Sequence, residues 1–412
     1  MKIVPRTLSL ICLGLALLPP AAAGKESMLG SELSGALKLI DLSQDTSRQV
    51  IVDEVPGQYL GQPNTVLLAD NRTIVVAYPE GHGHPNTLVK RSLDGGLTWS
   101  DRLPTPDNFT ADHYAPTLHR LTDENGVERI HLMVVTPVAK QSFSEDGGIT
   151  WSPFQHLYTD ISGRGNAPPM SIIAIHDSSG RPVPGSYFAM YQVRERDATR
   201  DDMFLLQIKT RDGGRTWTRP RRVGNHPDFP GAQPAEPGII RSPDGKQLLC
   251  LVRENARLYP SLFMTSDDEG ETWSDLQSLP SALTGDRHNL IYAQDGRLVV
   301  TFRDLKPQKV FLADGTKDFV QGPFHGDFVA WIGRYEDIIR GDPGQFKVRL
   351  IDNKRTPWDT GYSGIELLPD GTVVSTTYGV LEEGEQPLVV SIRYRLAELD
   401  ALVDQPAGRA GP

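Results

Sequence analysis

Short apolar runs alternate with turns along most of the chain. Each run is rich in β-branched residues, is followed by Asp, Asn or Gly, and leads through the turn to a second apolar run. This unit occurs six times, at Thr65–Ala77, Thr117–Val135, Ser171–Tyr191, Gly238–Val252, Asn289–Phe302 and Gly364–Tyr378. Such runs are typical of antiparallel strands joined by tight turns. Helical spacing is scarce, and only Glu336–Ile339 is predicted to form a short helical turn.

A second repeat, Ser/Thr-x-Asp-x-Gly-x-Thr-Trp, accompanies the first four units. Its copies are Ser92–Trp99, Ser144–Trp151, Thr210–Trp217 and Ser266–Trp273, which start 52, 66 and 56 residues apart. The Ser and Asp oxygens can accept hydrogen bonds from turn N–H groups, Gly suits positive φ, and Trp can bury a large ring between units. Four of the six tryptophans lie in these boxes, so we assign the boxes a structural role.

The repeats together predict the architecture. Repeats of this period point to a propeller or a solenoid. About 370 residues shared among six units leave roughly 62 for each, which is room for four short antiparallel strands. We therefore predict an all-β fold, a single six-bladed β-propeller over residues 37–400. Leu37–Val55 lies outside the six units and is predicted to supply the outer strand that closes the ring against the last blade.

The first 23 residues have the order of a secretory signal peptide. Lys2 and Arg6 precede the apolar stretch Leu8–Leu18, and small residues follow as far as Ala23. We predict cleavage near Ala23, a secreted or periplasmic location, and no membrane span in the mature chain. A membrane anchor is the alternative, although the apolar stretch is much shorter than the ~20 residues that a spanning helix needs.

Composition narrows the range of partners. The formal charge of the whole chain is −10, and loss of the two leader cations makes the mature chain more negative. A surface of this sign disfavours nucleic acid. A protein of negative net charge can still bind an acidic ligand if several of its arginines lie together in one pocket. Cys250 is the one cysteine beyond the leader, so no intramolecular disulfide is expected.

The boxes and three further segments resemble the sialidase superfamily. The boxes are similar to its Asp-boxes, and the chain beyond the leader resembles the family in length, repeat count and blade layout. Glu236 before the fourth unit, Arg253 after that unit's second run, and Tyr362-Ser363 opening the last unit match family positions. The resemblance implies that Tyr362 is the nucleophile, that Glu236 takes its proton, and that Arg253 binds the substrate carboxylate.

These residue types suit an acidic sugar. A sialic acid carries its carboxylate on the anomeric carbon, so a carboxylate nucleophile would meet like charge. A neutral tyrosine activated by a neighbouring glutamate avoids that repulsion. Arginine binds a carboxylate through two charge-assisted hydrogen bonds.

The first blade departs from the family pattern. The family's Phe-Arg-Ile-Pro segment, whose arginine belongs to the carboxylate-binding set, corresponds here to Leu60–Pro63. That arginine is missing here, and Gln62 of this segment is a substrate-binding candidate. The acid/base aspartate of the first-blade loop is also missing, which leaves Glu80, His82 and His84 as the catalytic candidates there.

Other substrate-binding candidates lie at the openings and ends of inner strands. They are Arg303, Arg287, His288, Tyr114 and Asp327. His82 and His84 could form a metal pair, but no third ligand follows with defined spacing. We therefore predict no metal and no cofactor.

The sequence thus predicts a secreted exo-glycosidase of the sialidase type that hydrolyses terminal acidic sugars of glycoconjugates, with sialic acid as the leading choice. Two alternatives stay open. One is a uronate-directed glycosidase or polysaccharide lyase that uses His and Tyr on the same propeller. The other is a propeller that binds glycans without catalysis.

Overall fold

The structure, a computed structural model, describes residues 37–82, 86–110, 115–136, 138–157, 167–196, 201–305, 309–311, 317–319, 323–354 and 359–404. The predicted signal peptide over residues 1–23, His84 and Tyr114 lie outside these ranges. The described residues form a six-bladed β-propeller, which confirms the predicted architecture. None of their helices is long and apolar enough to cross a membrane.

Each blade is built around an antiparallel sheet whose innermost strand comes first in sequence. Two strands, β1 (Lys38–Asp41) and β2 (Gln49–Asp53), precede the first blade. Blade one holds β3 (Asn64–Leu67), β4 (Ile74–Pro79) and β5 (Thr87–Ser92). Blade two holds β6 (Thr117–Thr122), β7 (Glu128–Thr136), β8 (Val138–Ser144) and β9 (Gln155–His156), and blade three holds β10 (Ser171–His176), β11 (Pro182–Arg196), β12 (Asp201–Thr210) and β13 (Arg221–Val223).

The second half of the ring continues in the same way. Blade four holds β14 (Pro234–Arg241), β15 (Leu248–Glu254), β16 (Leu262–Ser266) and β17 (Gln277–Ser278). Blade five holds β18 (Gly285–Tyr292), β19 (Leu298–Asp304), β22 (Phe328–Gly333) and β23 (Phe346–Ile351), with the hairpin β20 (Lys309–Phe311) and β21 (Lys317–Phe319) inserted after β19. Blade six holds β24 (Gly364–Leu367), β25 (Val373–Gly379) and β26 (Leu388–Tyr394).

The N-terminal strands tie the two ends of the chain together. Strand β2 pairs antiparallel with β26 and is the outermost strand of blade six, as predicted for this segment. Strand β1 adds a fifth, parallel strand to the edge of blade five, next to β23. This second strand was not predicted. Both pairings join the N-terminal segment to residues more than three hundred positions later, so they resist opening of the ring.

Helices are few among the described residues. Helix α1 (Tyr335–Arg340) contains the predicted helical turn and ends at Gly341, whose φ of 79° suits glycine. Helix α2 (Leu396–Asp404) follows the last strand and was not predicted. Its residues Leu396 and Leu399 are buried in the apolar cluster between blades five and six. Short 3-10 turns occur at Thr46–Arg48, Asp107–Thr110 and Ser281–Leu283.

The boxes form tight turns on the outer strands. In the first box, the Ser92 hydroxyl accepts a hydrogen bond from the Gly96 amide at 2.7 Å, and Asp94 accepts from the Thr98 amide at 2.9 Å and its hydroxyl at 2.6 Å. The other three boxes repeat these contacts. Apolar clusters fill the space between neighbouring blades.

Candidate active site

Four candidate side chains occupy the same position in their blades, two residues before the innermost strand starts its regular pairing. They are Gln62 in blade one, Glu236 in blade four, Arg287 in blade five and Tyr362 in blade six. Regular pairing starts at Asn64, Gly238, Asn289 and Gly364. The repeat of the blade therefore brings residues that are far apart in sequence to equivalent points around one opening.

Three of these four residues have left-handed backbones. The φ angles are 54° at Gln62, 52° at Glu236 and 60° at Arg287. In blades four and five the register shifts at this point, between Ala235 and Gly238 and between Asp286 and Asn289. Residues other than glycine pay of order 1–3 kcal/mol for unusual backbone geometry, and such strain clusters at functional sites.

Asparagine side chains hold the neighbouring blades against Ser363, next to Tyr362. The Asn64 amide group donates to the Ser363 carbonyl at 3.0 Å, and the Asn289 amide group donates to the same carbonyl at 2.7 Å. Blades one and five are thereby fixed on either side of blade six. Gly238 brings blade four against blade five, since an added Cβ would lie 2.3 Å from the His288 carbonyl oxygen.

Tyr362 and Glu236 form a direct hydrogen bond across the opening. The Tyr362 hydroxyl donates to Glu236 Oε1 at 2.6 Å. The Tyr362 carbonyl accepts from the Thr377 hydroxyl at 2.9 Å, and the Glu236 amide donates to Gln192 Oε1 at 2.9 Å. Burial raises the pKa of Tyr362, and the negative charge of Glu236 raises it further. The tyrosine is therefore neutral until a base takes its proton.

Asp286 is the centre of a buried arginine cluster. It is 1% exposed and pairs with Arg253 at 3.1 Å, with Arg257 at 2.6 Å and with Arg303. Burial by itself raises the pKa of Asp286, but the three guanidinium groups outweigh it and hold this pKa far below its usual range. Arg253 Nη1 also donates to Glu236 Oε1 at 3.0 Å. The cluster therefore positions the carboxylate that meets Tyr362.

The sequence offered uneven signals for this cluster. Arg303 donates to the Thr360 carbonyl at 3.2 Å as well as pairing with Asp286. Sequence reasoning gave no role to Asp286 or Arg257. Asp286 directly precedes the candidate Arg287 at a blade opening, and this position could have identified it from the sequence. Arg257 follows the end of β15 in a loop, and no motif distinguishes it from other arginines.

Arg287 lies apart from the paired arginines. Its guanidinium carbon is 5.4 Å from the centre of the Tyr362 ring, and the residue is 3% exposed. Among the described residues, no hydrogen bond or ion pair to Arg287 is present, and its Nε is buried without an acceptor. Burial lowers its pKa, and the nearby Glu236 partly offsets this effect. The group still stays charged, because an arginine does not deprotonate in proteins.

A polar cluster borders the site on the first-blade side. The Tyr59 hydroxyl donates to Asp359 Oδ1 at 2.6 Å and lies 3.2 Å from His82 Nδ1. His82 Nε2 is 3.4 Å from the Gln62 amide nitrogen. The His82 side chain is 55% exposed. The His82 imidazole is therefore accessible to a ligand. Its Nδ1 is linked to the Asp359 carboxylate through the Tyr59 hydroxyl. Sequence reasoning missed Tyr59 and Asp359, which match no motif.

Glu80 lies in a different set of contacts. Its carboxylate accepts from the Gln58 side chain and from Asn86 Nδ2 at 2.6 Å, and Arg102 Nη1 lies 3.6 Å away. Arg102 is also paired with Asp53 of β2 at 2.7 Å. The structure therefore places Glu80 in a network that fastens the closing strand to blade one.

Two other substrate-binding candidates have partners within the fold. His288 is buried, its Nε2 is 2.7 Å from the Leu283 carbonyl, and its ring stacks on Phe302. Asp327 accepts from the Asn353 amide at 3.0 Å, and burial raises its pKa to about 6. Neither contacts Tyr362. Among the residues that the structure describes, no group of three His, Cys, Asp or Glu side chains is arranged to hold a metal.

The chain matches the BNR repeat-like domain family over residues 181–319. A curated sialidase of Clostridium perfringens is 25% identical over 240 residues, which are 52% of this chain and 60% of that protein, so the match spans less than two thirds of the relative. Two solved structures share the fold. An α-L-arabinofuranosidase of Fusarium graminearum has a TM-score of 0.59 at 14% identity and covers 86% of this chain and 99% of its own. A leech intramolecular trans-sialidase has a TM-score of 0.56 at 15% identity and covers 86% and 70%.

Proposed function

We propose that this chain, a member of the sialidase-like superfamily of BNR-repeat propellers, is a glycosidase that removes a terminal acidic sugar from a glycan. The observation that carries the proposal is the 2.6 Å hydrogen bond between Tyr362 and Glu236 beside a set of buried arginines. Among the described residues, Arg253, Arg257 and Arg303 lie against the carboxylate of Asp286, Arg253 also contacts Glu236, and Arg287 lies over the Tyr362 ring. This concentration of guanidinium groups beside the tyrosine favours an anionic ligand.

In the proposed reaction, Tyr362 forms a covalent intermediate. Its oxygen bonds to the anomeric carbon while its proton passes to Glu236 Oε1 and the bond to the leaving oxygen breaks. In the second step, a water oxygen displaces the tyrosine oxygen, and Tyr362 recovers its proton from Glu236. Two displacements retain the anomeric configuration. A neutral nucleophile suits a substrate whose own negative charge lies close to the reacting carbon.

We assign the proton transfer to the leaving oxygen to His82. Its imidazole is accessible and is linked through Tyr59 to Asp359, which lies three residues before Tyr362 in sequence. The protonated ring gives its proton to the leaving oxygen in the first step and takes one from water in the second. Glu80 is less suited, because its oxygens are occupied by side chains of the closing network.

His82→Ala is expected to slow cleavage of substrates with basic leaving groups by about 100- to 10,000-fold. Cleavage of an activated aryl glycoside, whose leaving oxygen needs no proton, should change far less. Steady-state kcat over a series of aryl glycosides of decreasing leaving-group acidity measures the difference. His156→Ala is the matched control, because His156 is exposed on the outer strand of blade two. An equal loss for every leaving group would remove His82 from this role.

The proposed function is tested with a panel of fluorogenic glycosides. Purified protein should cleave an α-sialoside or a uronoside and leave a neutral α-L-arabinofuranoside intact, because only the acidic sugars bring a negative charge to the guanidinium groups beside Tyr362. A polysaccharide lyase would instead release an unsaturated uronate that absorbs in the near ultraviolet. Absence of cleavage of every acidic glycoside would contradict the proposal.

A neutral-sugar exo-glycosidase is the second candidate. Asp286 already neutralises much of the charge of its three arginine partners, and the segment Leu60–Pro63 lacks the first-blade arginine of the family. The Fusarium arabinofuranosidase also shares the fold over nearly its whole length. Cleavage of the arabinofuranoside alone in the same panel would favour this candidate.

A further inference from the structure

Three polar side chains on the first-blade side of the opening are joined in series by the Tyr59 hydroxyl. The Tyr59 oxygen lies 2.6 Å from Asp359 Oδ1 and 3.2 Å from His82 Nδ1. Asp359 Oδ1 lies 3.6 Å from the same ring nitrogen. We call His82, Tyr59 and Asp359 the His82 triad. Because Asp359 lies three residues before Tyr362 in sequence, the triad connects a loop of blade one with the segment that carries the proposed nucleophile.

The positions of the protons in the His82 triad follow from the chemistry of its members. An ionised carboxylate only accepts hydrogen bonds, so the single proton of the Tyr59 hydroxyl points to Asp359. Burial raises the pKa of Tyr59, and the neighbouring Tyr378 and Asp359 raise it further, so this hydroxyl keeps its proton. The Tyr59 oxygen then faces His82 Nδ1 as an acceptor, and the Asp359 carboxylate is a second acceptor close to the same nitrogen. Both acceptors call for a proton on His82 Nδ1.

The other ring nitrogen of His82 has a different neighbour. The side-chain nitrogen of Gln62, which can only donate, lies 3.4 Å from His82 Nε2. This contact agrees with a neutral ring that has no proton on Nε2. The hydrogen bond at one ring nitrogen sets which nitrogen carries the proton. A histidine side chain in water favours the opposite form, with its proton on Nε2, so the triad selects the less common form.

The packing around Tyr59 holds the triad in one arrangement. The centre of the Tyr59 ring lies 6.2 Å from that of Tyr378 in β25. Gly61 permits this approach, because an added Cβ would lie 2.7 Å from an atom of each ring. The Thr360 hydroxyl donates to the Tyr378 carbonyl, which fixes the residue next to Asp359. The hydroxyl and the carboxylate that face the imidazole are therefore both held by the last blade.

We propose that Tyr59 and Asp359 are positioning residues that fix the Nδ1–H form of His82 and thereby make Nε2 the atom that exchanges protons with the substrate. This proposal rests on the proposed function and adds two residues and one ring nitrogen to its proton-transfer step. In the first step, the doubly protonated ring gives its Nε2 proton to the leaving oxygen as the glycosidic bond breaks, and Nδ1 keeps its proton. In the second step, the neutral Nε2 takes a proton from the attacking water.

Nuclear magnetic resonance tests the triad without requiring turnover. The full-length protein, isotopically labelled at the nitrogens of its ten histidines, is observed in alkaline solution, where an imidazole is neutral. His82→Ala protein identifies the His82 signals. The nitrogen chemical shifts should show the Nδ1–H form for His82 and mainly the Nε2–H form for the exposed His156, which is the internal reference. Asp359→Ala should convert His82 to the Nε2–H form, because the freed Tyr59 hydroxyl then donates to Nδ1.

Kinetics distinguishes positioning from a purely structural role. Tyr59→Phe keeps the ring against Tyr378 and should lower kcat by about 2- to 12-fold for poor leaving groups, with a smaller change for an activated aryl glycoside. In the His82→Ala background the same substitution should cause no further loss, because Tyr59 then has no imidazole to position. Tyr78→Phe is the matched control. Tyr78 is a buried tyrosine of blade one that donates to Asp53, and any effect of its substitution should not depend on the leaving group.

Three results would overturn the proposal: the Nε2–H form for His82 in the parent protein, an unchanged Nδ1–H form in folded Asp359→Ala protein, or losses in Tyr59→Phe that are equal for all leaving groups or add to those of His82→Ala. These outcomes differ from failure of the proposed function. An Nδ1–H form that responds to Asp359→Ala, in a protein that cleaves no glycoside, would retain the triad and refute hydrolysis. Cleavage by a protein whose His82 has the Nε2–H form would retain hydrolysis and refute the positioning role.

Discussion

Tyr362→Phe is expected to lower kcat by about a thousandfold or more on any glycoside that the unmodified protein cleaves. The substitution removes the oxygen that would bond to the anomeric carbon and keeps the ring beneath Arg287. Stability should fall only slightly, by about 0.5–1.5 kcal/mol for one lost hydrogen bond, because Arg253 still donates to Glu236. Steady-state kinetics and thermal unfolding of the same preparation measure both quantities.

Tyr394→Phe is the matched control. Tyr394 is buried in the same blade, and its hydroxyl lies 3.2 Å from the Ser375 hydroxyl. This variant loses a comparable contact far from the site and should keep its activity.

Glu236→Gln should resemble Tyr362→Phe, because a neutral amide cannot take the proton of a tyrosine whose pKa is raised. Nearly full activity in Tyr362→Phe with none in Glu236→Gln would make the glutamate, not the tyrosine, the nucleophile.

The blades were predictable because their signals are local and repeated. Asp94 and its equivalents make their hydrogen bonds within four residues, and the same spacing occurs in each box. Strand β1 and helix α2 carry no such repeat. The parallel pairing of Lys38 with Phe346 joins parts of the chain about three hundred residues apart, and nothing within either segment specifies its partner. The closing strand β2 was predictable only because a propeller needs one.

The site was predictable in its residue types and not in their pairing. Glu236 and Tyr362 are 126 positions apart, and only the family resemblance connected them. Sequence reasoning ranked Arg253 first for the substrate carboxylate, with Arg303 and Arg287 competing for a second place beside it. The structure gives Arg253 two carboxylate partners and Arg287 none among the described residues. Which arginine stays unpaired depends on how neighbouring blades meet, and that information is absent from any single motif.

Asp286→Asn is expected to destabilise the fold by about 3–5 kcal/mol, because it removes a buried carboxylate that the guanidinium groups of Arg253, Arg257 and Arg303 all contact. The asparagine amide keeps the shape of the aspartate side chain and some of its hydrogen bonds. The loss of stability therefore reports the missing charge more than a change in packing. Chemical denaturation of each protein, read as the shift in midpoint at constant slope, gives the change. Asp295→Asn is the control: Asp295 also pairs with an arginine of blade five, but its side chain is 46% exposed, and it should change stability by less than about 1 kcal/mol.

A second substitution shows whether charge is the cause. Arg257→Met in the Asp286→Asn background removes one of the unbalanced cations, so it should recover part of the lost stability, whereas Arg257→Met alone should destabilise the parent protein. Additive losses in the double variant would mean that water or rearranged side chains already screen the cluster. A loss below about 1 kcal/mol in Asp286→Asn would mean the same. The arginines would then be free to turn toward a ligand, and the role of this cluster in positioning Glu236 would no longer hold.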